Sequence, residues 1–97
     1  MSTQKLSNIS LSQFESFLEL CCCKFIKNEK GHAKYFRSDL NRPIIFQNHK
    51  DPVPEFIIKN NLRVLGVSKK DFFCILDLST TVIKVSDSEF KLVSAIK

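Results

Sequence analysis

Residues 23–48, CKFIKNEKGHAKYFRSDLNRPIIFQN, contain the pattern that decides the fold. Two aromatic-rich runs, CKFIKN and HAKYFRS, are separated by EKG, which predicts two strands joined by a tight turn. Gly31 suits this turn because a residue without a Cβ adopts positive φ at little cost. The segment DLNRP then breaks the chain, and IIFQN predicts a third strand. Three successive strands indicate an antiparallel meander.

An amphipathic helix is predicted before the strands. Residues 10–22, SLSQFESFLELCC, place apolar side chains at three- and four-residue spacing, so one stripe of the helix is apolar. Both Ser10 with Gln13 and Ser12 with Glu15 match the capping box that begins such a helix.

Two more helices are predicted after the strands. Ile58, Leu62 and Leu65 fall on one face of the second helix. Pro54 suits its first turn, and Gly66 suits its C-terminal cap. A further capping box, SKKD, then begins a third helix.

The tail after these helices predicts a strand or a hairpin. In TTVIKVSDSEFKLVSAIK, apolar and polar residues alternate and DSE offers a turn. We therefore predict one α+β domain, residues 1–97, with an α-β-β-β-α-α order and a C-terminal extension at 78–97. Its helices are expected on one face of a three-stranded antiparallel sheet, which is the arrangement of double-stranded-RNA-binding domains.

Composition indicates a folded chain and gives no membrane signal. The chain has 97 residues, of which 43% are hydrophobic, enough for one modest core. No apolar run approaches the ~20 residues that cross a bilayer, and the first ten residues lack a signal-peptide pattern. We expect a cytoplasmic protein with no membrane partner.

The cysteines predict neither a disulfide framework nor a metal site. Cys21, Cys22 and Cys23 are consecutive and only Cys74 lies elsewhere, so the spacing matches no CxxC pair. We interpret them as small apolar side chains in a reducing compartment. No metal and no cofactor are expected.

Positive charge is concentrated in one segment. Residues 24–50 contain seven basic and two acidic residues, which accounts for the whole net charge of +5. Such a segment predicts an electropositive face of the kind that binds a phosphate backbone. A solvated basic surface that serves solubility alone is the alternative.

The order of motifs resembles the HicA family. The amphipathic first helix is followed by KGH at the turn into the second strand, by QNH after the third strand, and by PVPEFIIKNNLRVLGVSKKDFFCIL. The resemblance covers residues 10–77. HicA proteins are small toxins of toxin-antitoxin pairs that act as mRNA interferases, have a double-stranded-RNA-binding-like fold, and are neutralised by a HicB-type antitoxin.

The resemblance implies that His32 is catalytic. The family motif is commonly Gly-Ser-His, whereas Gly31 directly precedes His32 in this chain. The chemistry gives an independent reason for a histidine, because imidazole, with a reference pKa of ~6.5, exchanges a proton near neutral pH. Without the resemblance, His32 would be interpreted as an exposed turn residue.

Other side chains are candidates for supporting roles. His49 is either a second proton-transfer group or a loop residue that holds the turn before Pro52. Tyr35 falls on the opposite face of its strand from His32 and is interpreted as structural. The predicted RNA-binding residues are Lys30, Lys34, Lys27 and Arg37.

The sequence thus predicts an endoribonuclease toxin whose partners are mRNA and a HicB-type antitoxin. Two alternatives remain open: an RNA-binding module of the same fold without catalysis, and a protein-interaction module. Oligomeric state and cleavage specificity are left undetermined.

Overall fold

A computed structural model describes residues 5–94. The first four residues and residues 95–97, which end the predicted C-terminal extension, lie outside this range. A short 3-10 turn, Leu6–Asn8, precedes three helices and five strands. The helices are α1 (Leu11–Leu20), α2 (Glu55–Leu65) and α3 (Lys69–Leu76), and the strands are β1 (Lys24–Glu29), β2 (His32–Phe36), β3 (Ile44–Gln47), β4 (Thr80–Ser86) and β5 (Glu89–Ser94).

The first three strands form the predicted antiparallel meander, in the order β1-β2-β3. In this register His32 lies opposite Glu29 on one side and Gln47 on the other. A bulge between Phe25 and Lys27 interrupts the pairing of β1 with β2. The structure is therefore a small α+β domain whose three-stranded sheet is accompanied by a two-stranded hairpin, β4–β5.

One face of the sheet packs against the helices. Ala33, Tyr35 and Phe46 are buried there, and the ring of Phe14 on α1 meets Phe46 edge-on, with 5.0 Å between centroids. The side chain of Asn61 on α2 donates a hydrogen bond to the carbonyl of Ile45 at 3.3 Å. These contacts pack α1 on the buried face of the sheet and attach α2 to β3.

The opposite face of the sheet is not covered by the helices, and we call it the outer face. Residues directly opposite one another in a ladder share a face, and side chains alternate along each strand. The residues of the outer face are Lys24, Lys27, Glu29, His32, Lys34, Phe36, Ile45 and Gln47.

Caps form at three of the predicted helix ends, whereas Pro54 is the N-cap residue that precedes α2 and is not in its first turn. The Ser10 hydroxyl accepts from the Gln13 amide and the Gln13 side chain accepts from the Ser10 amide, so the capping box begins at Ser10 and not at Ser12. Gly66 ends α2 with φ +70°. The Ser68 side chain accepts from the amide of Asp71 at the start of α3.

The C-terminal extension forms a hairpin, one of the two structures that the sequence predicted. Val82 is buried against the core, and the Ser38 hydroxyl donates to the Asp87 carbonyl at 2.7 Å. These contacts tie β4–β5 to the loop that follows β2. The hairpin keeps Ile83, Val85 and Val93 exposed on its far side.

All four cysteines are free thiols. Cys21 caps the end of α1 and Cys23 directly precedes β1, and both are buried in the core. Within residues 5–94, no three His, Cys, Asp or Glu side chains are placed so that they could hold one metal ion. No helix in the same range is long and apolar enough to span a membrane.

Candidate nucleic-acid interface

The turn between β1 and β2 determines where His32 stands. Lys30 and Gly31 have φ values of +52° and +81°. Positive φ at both central residues defines a type I′ turn, whose twist matches that of the two strands it joins. The turn ends at His32, which is the first residue of β2 and is exposed on the outer face.

A hydrogen bond orients the His32 ring. Its Nδ1 lies 3.2 Å from the Lys30 carbonyl oxygen. A carbonyl oxygen only accepts, so in the neutral ring Nδ1 carries the hydrogen and donates it. The lone pair is then on Nε2, which has no hydrogen-bond partner within residues 5–94.

Lysines surround His32 on the outer face. Lys34 lies two residues further along β2, and the register places it directly opposite Lys27 on β1. Like charges opposite each other destabilise a sheet. The Lys27 ammonium lies 3.1 Å from the Glu29 carboxylate. Because both side chains are at least half exposed, this ion pair offsets little of the repulsion between Lys27 and Lys34. The arrangement favours a bound anion.

A shallow depression of about 480 Å³ lies at this end of the outer face. The structure brings three predicted site residues together around it, namely Lys30, His32 and Lys34. The lining residues are Glu29, Lys30, His32, Lys34 and Ile45.

His49 lies beside the same turn but does not line the depression. The Asn48 amide donates to the Gly31 carbonyl at 2.9 Å, and this bond holds the end of β3 against the turn. The position that a Cβ on Gly31 would occupy is 3.4 Å from His49 Cε1. Gly31 is therefore favoured for its positive φ, and the His49 side chain lies at ordinary contact distance from it. Both interpretations of His49 remain open.

Arg37 was predicted to bind RNA, but the structure engages its guanidinium within the fold. Its Nε and a terminal nitrogen donate to the two oxygens of Asp39 at 2.6 and 2.9 Å, and the other terminal nitrogen donates to the Cys21 carbonyl at 2.8 Å. The guanidinium also stacks 4.3 Å from the centre of the Phe90 ring. Burial lowers the pKa of Arg37, but the hydrogen bond and charge of Asp39 outweigh burial and raise it. Its role is structural.

Tyr35 is structural, as the strand alternation predicted. Its ring stacks on Phe46 with 5.9 Å between centroids and meets Phe25 edge-on at 5.5 Å. Burial is the main cause that raises the pKa of its hydroxyl.

The outer face has a second cleft that was not predicted from the sequence. It has a volume of about 390 Å³ and lies where β2 ends, beside the hairpin. Strand alternation from His32 through Lys34 places Phe36 on the outer face, which is one side of the cleft. Nothing in the sequence indicated that the β4–β5 hairpin would form the other side. The lining residues are Cys22, Lys24, Ile26, Phe36, Arg37, Ser38, Lys84 and Phe90.

Comparisons of the chain with protein-family models, with curated proteins and with solved structures gave no match. The fold and the outer face are thus the observations on which a function can be based.

Proposed function

We propose that this chain is a HicA-like toxin that binds mRNA on its outer face and cleaves it without a metal ion, using His32. The element order α1-β1-β2-β3-α2, with α1 on the buried face of the sheet, supports a double-stranded-RNA-binding-like core in residues 10–77. The sequence motifs that resemble HicA fall within this core.

The observation that carries the proposal is the setting of His32. Its Nε2 has a lone pair and no partner within residues 5–94. His32 also lines an open depression together with Lys30 and Lys34. A proton acceptor and two cations beside one accessible surface can supply the base and the charge stabilisation of phosphodiester cleavage.

The chemistry proceeds as an in-line transfer at phosphorus. Nε2 of His32 takes the proton from a ribose 2′-OH, and the 2′-oxygen then attacks the adjacent phosphate. The bond to the 5′-oxygen breaks, and that oxygen accepts a proton from an acid, for which His49 or water is the candidate. The products are a 2′,3′-cyclic phosphate and a 5′-hydroxyl. Lys30 and Lys34 stabilise the charge that builds on the phosphate oxygens.

A HicB-type antitoxin is the protein partner in this proposal. The far side of the hairpin supports a protein contact, because Ile83, Val85 and Val93 are 42%, 51% and 40% exposed on one face of two short strands. An acidic antitoxin that covered the outer face would also occlude His32. In a purified toxin–antitoxin complex, hydrogen exchange distinguishes the two modes: protection confined to the hairpin would reject occlusion of His32.

His32→Ala is the variant that tests catalysis. His32 is exposed, so the change should leave the free energy of unfolding within ~0.5 kcal/mol and should preserve RNA binding by the lysines. Loss of one proton-transfer group lowers a cleavage rate by ~10²- to 10⁴-fold. The measurement is cleavage of a structured and an unstructured RNA, with circular dichroism to confirm folding.

Two controls sharpen that measurement. A comparable loss in His49→Ala would make the two histidines an acid-base pair, whereas a small loss would assign His49 to the turn. Activity that persists in EDTA supports a reaction without a divalent metal. Full cleavage by a folded His32→Ala protein would reject the catalytic assignment, and binding without cleavage in the unaltered protein would favour the non-catalytic RNA-binding alternative.

A further inference from the structure

The cleft beside Phe36 has an apolar floor on a face that is rich in charged residues. Ile26 and Phe36 are 51% and 38% exposed, and Phe90 forms the wall on the hairpin side. The ring of Phe36 shares the outer face with His32 and Lys34. An exposed aromatic ring on an open sheet is a surface on which a nucleobase can stack.

Cations form the rim of this cleft. Arg37 and Lys84 are neutralised locally, by Asp39 at 2.6 Å and by Asp87 at 2.8 Å. Lys24 lies directly opposite Phe36 in the ladder and has no ion-pair partner within residues 5–94. An apolar floor with an uncompensated cation beside it matches a ligand that is flat, apolar and attached to a negative charge. A nucleotide has this chemistry.

The cleft and the depression lie along one strand. His32 and Phe36 are four residues apart, which is ~13 Å at the rise of a β-strand, and Lys34 lies between them on the same face. A single RNA segment of a few nucleotides can therefore reach both. Paired bases in an A-form helix are stacked and not available to a ring on a protein surface, whereas bases of a single strand are.

We infer that the cleft of Ile26, Phe36 and Phe90 binds one nucleobase of single-stranded RNA, with Lys24 at its phosphate. This inference rests on the proposed function, and it specifies the substrate: an unpaired segment with one base held on Phe36 while its backbone passes Lys34 and reaches His32. The hairpin is then part of the substrate site, since Phe90 and Lys84 wall the cleft.

The test compares two six-nucleotide probes of equal charge with the unaltered protein. One is a 2′-O-methyl oligoadenylate, which has no 2′-OH and is not cleaved, and the other is its fully abasic counterpart. Stacking of one base should make the adenylate bind roughly 5- to 150-fold more tightly. Phe36→Leu should remove that preference while the salt dependence of binding stays unchanged, because no phosphate contact is lost.

Two matched variants serve as controls. Phe56→Leu makes the same change at a ring that is 65% exposed on α2, away from the outer face, and should keep the preference. Lys34→Gln should keep the preference for the base and flatten the salt dependence. Circular dichroism and thermal unfolding show that each variant is folded.

The outcomes separate this inference from the proposed function. Equal, salt-dependent binding of both probes would overturn the base site but leave the outer face as an RNA surface. Failure of both probes to bind at low salt would reject the RNA proposal as well. A preference that survives in Phe36→Leu would place the base elsewhere.

Discussion

Replacing Arg37 tests whether its charge serves the fold or the RNA. Arg37→Met keeps much of the length of the side chain and removes the guanidinium. The change breaks the two-pronged contact with Asp39 and the hydrogen bond to the Cys21 carbonyl, and it leaves the Asp39 carboxylate without its partner.

The expected cost follows from burial. The side chains of Arg37 and Asp39 are only 6% and 18% exposed. Removing one partner of a buried ion pair costs ~3–5 kcal/mol, and the remaining access of Asp39 to water places this case near the lower end, at about 3 kcal/mol. A domain of this size is stable by only ~5–15 kcal/mol. The melting temperature should fall by about 12–24 °C.

Urea unfolding followed by circular dichroism measures the free energy, and RNA binding below the melting temperature measures the function. We expect a large loss of stability with an unchanged salt dependence of RNA binding. Asp39→Asn, which strips the partner and keeps the guanidinium, should also destabilise the fold. A stable Arg37→Met protein whose log affinity depends less steeply on log salt, by ~0.7, would refute the structural role and restore Arg37 as a phosphate contact.

Two other predictions concern the lysines and the thiols. Replacing both Lys30 and Lys34 by glutamine should flatten the dependence of log affinity on log salt by ~1.4 on single-stranded RNA, and an unchanged slope in a filter-binding titration would move the RNA surface elsewhere. Burial, as the main cause, raises the pKa of Cys21 from 9.0 to about 12 and that of Cys23 from 9.0 to about 11, so their thiolate fractions at neutral pH fall about 1000-fold and 100-fold. Iodoacetamide should therefore alkylate Cys74 well before either of them in the folded protein, as peptide mass spectrometry can show, and rapid labelling of Cys21 would contradict the burial of the thiol.

The sequence by itself determined the elements whose signals are local. The turn at Gly31, the caps at Ser10, Gly66 and Ser68, and the order of strands and helices all depend on residues within a few positions of one another. Strand alternation likewise placed His32 with Lys34 on one face and Tyr35 on the other, because that period is a property of the backbone. The catalytic role of His32 stays a prediction that cleavage assays decide.

The tertiary structure alone decided what depends on distant parts of the chain. Arg37 carries the same charge as Lys34 in the sequence, and only the packing of Cys21, Asp39 and Phe90 around it engages its guanidinium within the fold. The cleft at Phe36 exists because the hairpin packs beside the end of β2. The hydrogen bond from the Ser38 hydroxyl to the Asp87 carbonyl, between residues 49 positions apart, is one of the contacts that hold it there. No local sequence pattern predicts these contacts, because they form between segments that are far apart in the chain and are buried together in the fold.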